Sequence, residues 1–241
     1  MNIVIIAAGK GSRIFKKLKK NKQLIDLEEG VLLKILVENA IKAKFEKIYI
    51  VVGFKSKNII NALKNYPQVI FIYNKYFATR EMFYSIICGL KKTNADTLVS
   101  YSDIYYNYKL LNIIIKKKSK NILLPVNLSW KKIWKIRGKN IYDDAETLKY
   151  NNNLELIEIG KKFKKKEEPK SQFMGLIFIP QKKISQIIKY YNKNKLQKMQ
   201  TTDVLNLLLR KKEKVNVLPT KSFWYEFDDY EDLHNYNKKF K

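Results

Sequence analysis

The residue types that most often carry nucleophilic and metal chemistry are almost missing from this chain of 241 residues. It has one cysteine, Cys88, and one histidine, His234. A single cysteine excludes an intramolecular disulfide and a cysteine-rich zinc site. A single histidine argues against a histidine-based catalytic dyad and against a metal cage built from histidines. We expect both residues to have structural roles.

Long hydrophobic runs are also lacking, since no apolar stretch approaches the roughly 18–20 residues that cross a bilayer. The opening residues, MNIVII, have neither the basic start nor the cleavage site of a secretory signal peptide. We therefore expect a cytoplasmic protein without a membrane partner. The length fits one domain, and a hydrophobic content of 46% with 13% aromatic residues argues against disorder.

Negative charge is scarce, because 22 acidic residues oppose 49 basic ones and leave a net charge of +27. Such a charge is one sign of a surface that binds nucleic acid. Arginine is the residue that most often reads bases directly, however, and nearly all the basic residues here are lysines. We favour a solvated lysine surface and expect no specific nucleic acid. The arginines of the chain are Arg13, Arg80, Arg137 and Arg210.

Strands and helices are predicted to alternate along the chain. Residues 3–7 are continuously apolar, as in a parallel strand that is buried on both faces. The alternation indicates βαβ units, a parallel sheet and right-handed crossovers. Further strands are predicted at 48–52, 69–73, 97–101, 121–126, 154–160, 175–179 and 215–218. Helices are predicted at 31–44, 57–65, 82–92, 108–118, 184–193 and 203–211. Residues 130–137 are a short helix or irregular, and residues 161–170 are a charge-dense mobile loop or a lid over a polyanionic ligand.

A turn of small residues follows the first strand and ends at Arg13. Glycines at such a place let the backbone approach a phosphate with its amides pointing at it, and an arginine can clamp phosphate oxygens in pairs. The spacing is neither that of a P-loop nor GxGxxG, because Ile14 stands at the last glycine position. The candidate nucleotide-binding residues of this turn are Ala7, Ala8, Gly9, Lys10, Gly11, Ser12 and Arg13.

An acidic residue, Asp103, stands just after the predicted strand 97–101. Open α/β sheets bind their ligands at the carboxyl ends of such strands. A carboxylate there can hold Mg²⁺, which takes one or two protein carboxylates together with substrate phosphates. The other interpretation of Asp103 is a helix N-cap.

Three segments resemble the signature of the MobA-like and sugar-nucleotide nucleotidyltransferases. They are A-A-G-K-G-S-R at 7–13, N-K-Q-L-I at 21–25 in place of the family's P-K-x-L, and W-Y-E-F-D-D-Y-E-D-L at 224–233. The resemblance implies a single α/β domain with a Rossmann-like, GT-A-like three-layer architecture, a mainly parallel central sheet and a small acceptor-binding lid. Residues 1–107 would then be the nucleotide-binding half and residues 108–241 the acceptor-binding half.

The same resemblance implies the roles of individual residues. Lys22 and Arg13 would be catalytic, and Asp103 and Asp228 would hold Mg²⁺ as the cofactor. Ser102 would contact the nucleotide, and Asp229 is the alternative to Asp228. An ordinary turn followed by a capped helix is the other interpretation of the C-terminal acidic segment.

Further segments resemble the cytidylyltransferases of phosphocholine, phosphonate and capsule pathways. These are N-K-Y-F-A-T-R-E-M-F-Y-S at 74–85, W-x-x-x-W-x-x-R at 130–137 followed by D-A-E-T at 144–147, and E-I-G-K-K with Q-F-M-G-L within 158–176. The resemblance implies that Tyr84 and Ser85 adjoin the nucleotide. It implies an acceptor site formed by Trp130, Trp134, Asp144, Glu146, Lys161 and Glu226. The tryptophans could face an ammonium group or form one apolar helix face, and the two acids could bind an amine, assist the metal or cap a turn.

The implied function is a CTP-dependent, Mg²⁺-dependent cytidylyltransferase that joins CMP to a small phosphorylated or phosphonate acceptor and releases pyrophosphate. Acceptors of the phosphocholine, aminoethylphosphonate and phosphoglutamine types all suit it, and a homodimer is possible. One alternative is a sugar-1-phosphate or MobA-like nucleotidyltransferase. A second alternative, of another class, is a non-catalytic nucleic-acid-binding protein.

Overall fold

The computed structural model describes residues 1–117, 119–163, 168–194 and 196–240. Its strands, in chain order, are β1 (Asn2–Ala7), β2 (Asp26–Leu27), β3 (Gly30–Val31), β4 (Ile48–Val52), β5 (Val69–Tyr73), β6 (Thr97–Tyr101), β7 (Ile104–Tyr106), β8 (Ile122–Asn127), β9 (Leu148–Tyr150), β10 (Leu156–Ile159), β11 (Gln172–Phe173), β12 (Leu176–Ile179), β13 (Val215–Thr220) and β14 (Trp224–Glu226). Its α-helices are α1 (Ser12–Leu18), α2 (Leu32–Lys42), α3 (Ser56–Leu63), α4 (Met82–Leu90), α5 (Tyr108–Lys117), α6 (Trp130–Arg137), α7 (Ile141–Asp144), α8 (Gln181–Lys193), α9 (Thr201–Arg210) and α10 (Tyr230–Phe240).

The main sheet runs in the order β5–β4–β1–β6–β12–β8, and β8 also pairs with β11 and β13. β5, β4, β1 and β6 are mutually parallel, as is the β8–β13 pair. β12 is antiparallel to both β6 and β8. The prediction of a mainly parallel sheet is therefore confirmed, and the chain places one reversed strand in its middle.

Side chains of β1 alternate between two hydrophobic cores, one on each face of the sheet. Ile3 and Ile5 belong to the first core, and Val4 and Ile6 belong to the second. Helices α2, α5, α6 and α10 bury apolar side chains in the first core, and α4, α8 and α9 do so in the second. Helices cover both faces of the sheet, which confirms the three-layer α/β architecture.

Helix α1 occupies a stretch that its lysines make too charged for a core element. It folds because Ile14 is fully buried in the first core while the lysines of the same helix face solvent. Helices α8 and α9 begin two or three residues earlier than their apolar periodicity indicates. Pro180 precedes the first turn of α8, and Gln200 and Asp203 form a capping box at the start of α9.

Two further expectations concern loops and membranes. The described residues omit 164–167, which belong to the charge-dense segment 161–170. They also omit residue 118, the end of the predicted helix 108–118. A lid role for that segment stays a prediction. Within the described ranges, no helix combines the length and the apolar character needed to cross a bilayer.

Candidate active site

A cleft of about 360 Å³ opens at the carboxyl ends of β1 and β6. This is the edge at which open α/β sheets bind ligands. The residues of the predicted nucleotide and metal site that line it are Ala8, Gly9, Gly11, Arg13, Lys22, Ser85, Ser102, Asp103 and Asp228. The fold therefore brings together segments from the N-terminus, the middle and the C-terminus of the chain.

Four of the predicted nucleotide-binding residues lie beside the cleft and do not line it. Ala7 is buried in the first core, and Ser12 is exposed at the start of α1. Lys10 is exposed with its ammonium 5.7 Å from the centre of the Phe54 ring. Tyr84, on α4, packs against Tyr76 in the loop after β5 and against Tyr191 on α8.

Gly11 determines where Lys22 can lie. Its φ of 57° is left-handed, and a Cβ atom there would stand 2.5 Å from the Cβ atom of Lys22. Glycine adopts this backbone conformation without steric cost, and real Cβ atoms do not approach one another so closely. The second glycine of the turn is thus required by the close passage of the lysine beneath it.

Asn21, which stands where the family has proline, anchors the same loop by side-chain hydrogen bonds. Its Nδ2 donates to the carbonyl of Phe54 over 3.1 Å. Its Oδ1 accepts from the Nδ2 of Asn58 at the start of α3 over 3.2 Å. A proline restricts this position through its ring, whereas Asn21 is held by these tertiary hydrogen bonds.

The Lys22 ammonium joins the two predicted metal carboxylates. Its Nζ lies 2.8 Å from Asp103 Oδ2 and 3.1 Å from Asp228 Oδ1, and the side chain is only 9% exposed. Burial lowers the pKa of Lys22, but attraction to Asp103 and Asp228 outweighs it and the net shift is upward. The lysine is therefore cationic at all physiological pH values.

A short ribbon brings the two aspartates to one place. β7 follows Asp103 directly and pairs antiparallel with β14, where Ile104 lies opposite Glu226. Beyond the ribbon, the N–H of Phe227 donates to the carbonyl of Asp103 over 2.9 Å. Asp228 is the next residue, so its backbone position relative to Asp103 is determined by main-chain hydrogen bonds.

Asp228 is surrounded by three cations. Besides Lys22, the Arg13 Nη2 lies 3.1 Å from its Oδ1 and the Arg137 Nη2 lies 3.0 Å from its Oδ2. Burial raises the pKa of Asp228, but the charges of Lys22, Arg137 and Arg13 together lower it to about 2. Asp228 is therefore ionised throughout the neutral range.

Asp103 and Asp228 fit a Mg²⁺ ion that is shared with substrate phosphates. The buried Oδ1 of Asp103 has no hydrogen-bond partner among the described residues, which leaves one carboxylate acceptor unpaired beside the cleft. No group of three or more His, Cys, Asp or Glu side chains suited to a metal occurs in the part of the chain that the structure describes. Mg²⁺ accepts this arrangement because it commonly uses one or two carboxylates, water and phosphate oxygens.

A second cleft, also about 360 Å³, adjoins the first. Four of the six predicted acceptor residues line it, namely Trp134, Asp144, Glu146 and Glu226. The two clefts share Met82, Tyr101, Gln200 and Asp228 in their walls. Asp228 therefore stands where a molecule in one cleft would meet a molecule in the other.

Trp130 and Lys161 lie away from the second cleft. Trp130 is 1% exposed, and its ring packs edge-on against Trp134 at a centroid distance of 5.5 Å. Residues i and i+4 of a helix share a face, and both tryptophans pack in the first core, but only Trp134 also lines the second cleft. The ammonium of Lys161 pairs on the surface with Glu158 over 2.5 Å.

The second cleft is acidic. Burial raises the pKa of Asp144, although the nearby Arg137 charge lowers it. Burial also raises the pKa of Glu226 well above its usual range, with a further upward contribution from the Asp228 charge. Such shifts are expected where several carboxylates crowd a partly desolvated pocket.

The site also includes two arginines, Arg80 and Arg137, to which the sequence patterns gave no role. Arg80 lines the first cleft, and its guanidinium carbon lies 4.0 Å from the ring centre of Tyr76 and 4.3 Å from that of Tyr84. No ion pair of Arg80 occurs among the described residues. The side chain of Arg137 is fully buried and reaches Asp228, Glu226, Asp144 and Asp232. The scarcity of arginine in so basic a chain was the available signal for both.

A glycine turn, a buried lysine and two facing carboxylates thus meet at one edge of the sheet. Residues 3–127 match the sequence model of the MobA-like NTP transferase domain, and the chain belongs to this family. It is 30% identical to the CTP:phosphoglutamine cytidylyltransferase of Campylobacter jejuni over 97% of this chain and 98% of that protein. It is 24% identical to the bifunctional protein GlmU of Methanococcus maripaludis, over 100% of this chain and 54% of GlmU.

Solved structures of similar proteins share the fold over nearly the whole chain. The inositol-1-phosphate CTP transferase of T. maritima superposes with a TM-score of 0.76 at 16% identity, covering 96% of this chain and 91% of that one. The CTP:phosphocholine cytidylyltransferase of Streptococcus pneumoniae gives 0.73 at 17% identity, covering 100% and 99%. The predicted fold class and the prediction of a nucleotidyltransferase are thus confirmed, and the enzyme class decides against the non-catalytic alternative.

Proposed function

We propose that this nucleotidyltransferase uses CTP to transfer CMP to a small phosphate or phosphonate acceptor that carries an amine, with release of pyrophosphate. The observation that carries the proposal is the position of Asp228 in the walls of both clefts. The first cleft would hold the nucleotide and the second the acceptor, so that the two reacting groups meet at this carboxylate. The identity to the Campylobacter jejuni enzyme supports the choice of CTP.

The nucleotide-side residues would bind and orient the triphosphate. The backbone of Gly9 and Gly11 leaves room for close approach of phosphate oxygens, and Arg13 supplies a planar pair of donors. Lys22 lies between the two carboxylates, where it would neutralise charge that develops on the α-phosphoryl group. Mg²⁺ held by Asp103 and Asp228 would supply further charge neutralisation of the phosphate oxygens.

The reaction is an in-line displacement. An oxygen of the acceptor phosphate or phosphonate forms a bond to the α-phosphorus of CTP. The bond from that phosphorus to the oxygen bridging to the β-phosphorus breaks, and pyrophosphate leaves with the electron pair. Because the acceptor oxygen is already anionic, no general base is needed. The residues therefore act by bringing two anions together and by stabilising charge.

The acidic second cleft selects the class of acceptor. Asp144, Glu146 and Glu226 present carboxylates to it. Phosphocholine, 2-aminoethylphosphonate and phosphoglutamine each combine an anionic phosphorus group with a cationic nitrogen. The phosphorus group would meet Asp228, Lys22 and the metal, while the nitrogen would face the carboxylates. A sugar 1-phosphate offers no cation to this surface.

A pyrophosphate-release screen of four nucleoside triphosphates against paired acceptors tests the proposal. Phosphocholine is compared with 3,3-dimethylbutyl phosphate, in which carbon replaces the charged nitrogen, and 2-aminoethylphosphonate with ethylphosphonate. Phosphoglutamine and two sugar 1-phosphates complete the panel. We expect turnover with CTP and an amine-bearing acceptor, and at least tenfold lower kcat/KM for its neutral counterpart. Equal turnover with both members of a pair, or turnover only with a sugar 1-phosphate, would contradict the proposed acceptor class.

Variants of neighbouring aspartates locate the amine subsite. Asp144→Asn removes a carboxylate that lines the second cleft, and Asp143→Asn is the matched control because Asp143 is exposed outside it. We expect Asp144→Asn to raise the KM for the acceptor by about tenfold with little change in the KM for CTP. A KM for the acceptor that is the same in both variants would remove Asp144 from the subsite.

A further inference from the structure

We propose that Arg137 is a positioning residue that holds Asp228 in register with the acceptor-side carboxylates. The proposal rests on the proposed function, since it concerns the relation between the nucleotide cleft and the acceptor cleft. Arg137 contributes its guanidinium from beneath the junction of the clefts, and it lines neither of them. Its effect on the reaction is therefore exerted through other residues.

Four hydrogen bonds and one further ion pair surround the Arg137 guanidinium, which has five N–H donors. Nε and Nη2 bind the two oxygens of Asp232 over 2.9 and 3.1 Å. Nη2 also donates to Asp228 Oδ2 over 3.0 Å. Nη1 lies 3.3 Å from Glu226 Oε2 and 3.3 Å from Asp144 Oδ2. One planar cation thus connects a metal-side carboxylate with two carboxylates of the acceptor cleft.

The bidentate partner, Asp232, in turn holds the backbone of Asp228. Its Oδ2 accepts the N–H of Asp228 over 2.7 Å and the N–H of Asp229 over 3.2 Å. The result is a closed hydrogen-bond network, in which Arg137 binds the side chain of Asp228 directly and the main chain of Asp228 through Asp232. The Arg137–Asp232 network fixes the Oδ2 side of the Asp228 carboxylate, and it acts together with the β7–β14 ribbon, which holds the backbone, and with Lys22 and Arg13, which bind Oδ1.

Arg137 is itself firmly placed. It ends helix α6, where Gly138 turns the chain with a φ of 71°. The carbonyl of Arg137 accepts a hydrogen bond of 2.9 Å from Asn235 Nδ2 in α10. The ring of Trp134 lies 4.9 Å from its guanidinium carbon. A W-x-x-R spacing on one helix therefore supplies the arginine and the aromatic surface behind it.

Lysine cannot reproduce this arrangement. Its ammonium has three donors on a single nitrogen and lacks the planar fork that binds a carboxylate in pairs. Arg137→Lys keeps the buried positive charge, so the neighbouring carboxylates are not left without a cation. It therefore separates the geometry of the guanidinium from its charge, which a truncation to alanine would not do.

The test compares Arg137→Lys with the wild type and with Arg210→Lys, an exposed arginine at the end of α9. Mn²⁺ is titrated in the presence of a non-hydrolysable CTP analogue, and free Mn²⁺ is followed by electron paramagnetic resonance. Steady-state kinetics then give kcat and the KM values. We expect Arg137→Lys to raise the half-saturating Mn²⁺ concentration by about tenfold, to raise the acceptor KM and to lower kcat by about a hundredfold, while Arg210→Lys behaves as the wild type. Wild-type Mn²⁺ binding and acceptor KM in Arg137→Lys would overturn the proposal.

A second variant keeps the test decisive if Arg137→Lys does not fold. Asp232→Asn retains the shape of the side chain but removes the charge that binds the guanidinium and both backbone N–H groups. We expect it to weaken Mn²⁺ binding in the same assay, and unchanged binding would overturn the proposal. The wild-type measurement tests the proposed function separately, because a wild type that does not bind the CTP analogue refutes CTP as the substrate. Failure of the positioning role is instead seen as equal Mn²⁺ binding in the variant and the wild type.

Discussion

The alanine substitution at Gly11 gives the sharpest test of how the glycine turn and Lys22 depend on each other. A residue with a Cβ atom at the φ of 57° found here costs about 1–2 kcal/mol. The overlap with the Cβ atom of Lys22, at 2.5 Å, adds about 1–3 kcal/mol because the lysine loop must shift. Partial relaxation brings the expected loss to about 2–4 kcal/mol in the free energy of unfolding. For a domain of this size that is a fall of about 4–16 °C in Tm.

Gly9→Ala is the matched control, since its φ is not left-handed and a Cβ atom there meets nothing within 4 Å. We expect its Tm to stay within about 2 °C of the wild type. Displacement of Lys22 in Gly11→Ala should also lower kcat by about 10²–10³. Differential scanning calorimetry and pyrophosphate release measure the two effects. Equal Tm values for the two alanine variants would refute the steric argument, and wild-type turnover in Gly11→Ala would refute the role given to Lys22.

Three further predictions concern charge and aromatic packing. Because the pKa of Asp228 is lowered to about 2 in the folded protein, its carboxylate contributes about 2 kcal/mol to the free energy of unfolding, which is present above pH 4 and lost towards pH 2. In urea unfolding, the stability difference between the wild type and Asp228→Asn should therefore shrink from pH 5 to pH 2. A difference that stays constant over this range would contradict the prediction. Arg80→Met should raise the KM for CTP by about tenfold and leave the acceptor KM unchanged. Equal effects on both KM values would contradict a role for Arg80 in binding the nucleotide. Trp130→Phe should lower Tm without changing the acceptor KM, whereas Trp134→Phe should change the acceptor KM. The reverse pattern would contradict the assignment of Trp130 to the core and of Trp134 to the acceptor cleft.

The central sheet could be predicted from sequence because its strands are buried on both faces. Residues 3–7 and 48–52 are uniformly apolar, and they appear as β1 and β4 with bounds that differ by at most one residue. Helix α1 could not be predicted in the same way, since a single buried residue, Ile14, holds it to the core. One apolar position gives no periodicity, and only the tertiary contact reveals the helix.

The candidate site was predictable where backbone chemistry demands a residue type. Gly11 lies in the turn after β1 and Asp103 follows the end of β6, and local pattern is enough to locate them. Arg137 belongs to a recognisable W-x-x-x-W-x-x-R stretch, but its role was not predictable, because an arginine at the end of a lysine-rich helix has the pattern of a solvated residue. The β7–β14 ribbon that brings Asp228 to Asp103 is equally hidden, since three-residue strands leave too little alternation to recognise.

The shared wall between the two clefts has a consequence for product inhibition. A cytidine nucleotide already joined to its amine-bearing group would extend from the Gly9 side of the first cleft to the carboxylates of the second. With the two clefts used as proposed, such a compound would exclude CTP and the free acceptor simultaneously. The finished molecule should therefore slow the enzyme competitively against either starting material, and a stable mimic of it would be a tight ligand for crystallisation.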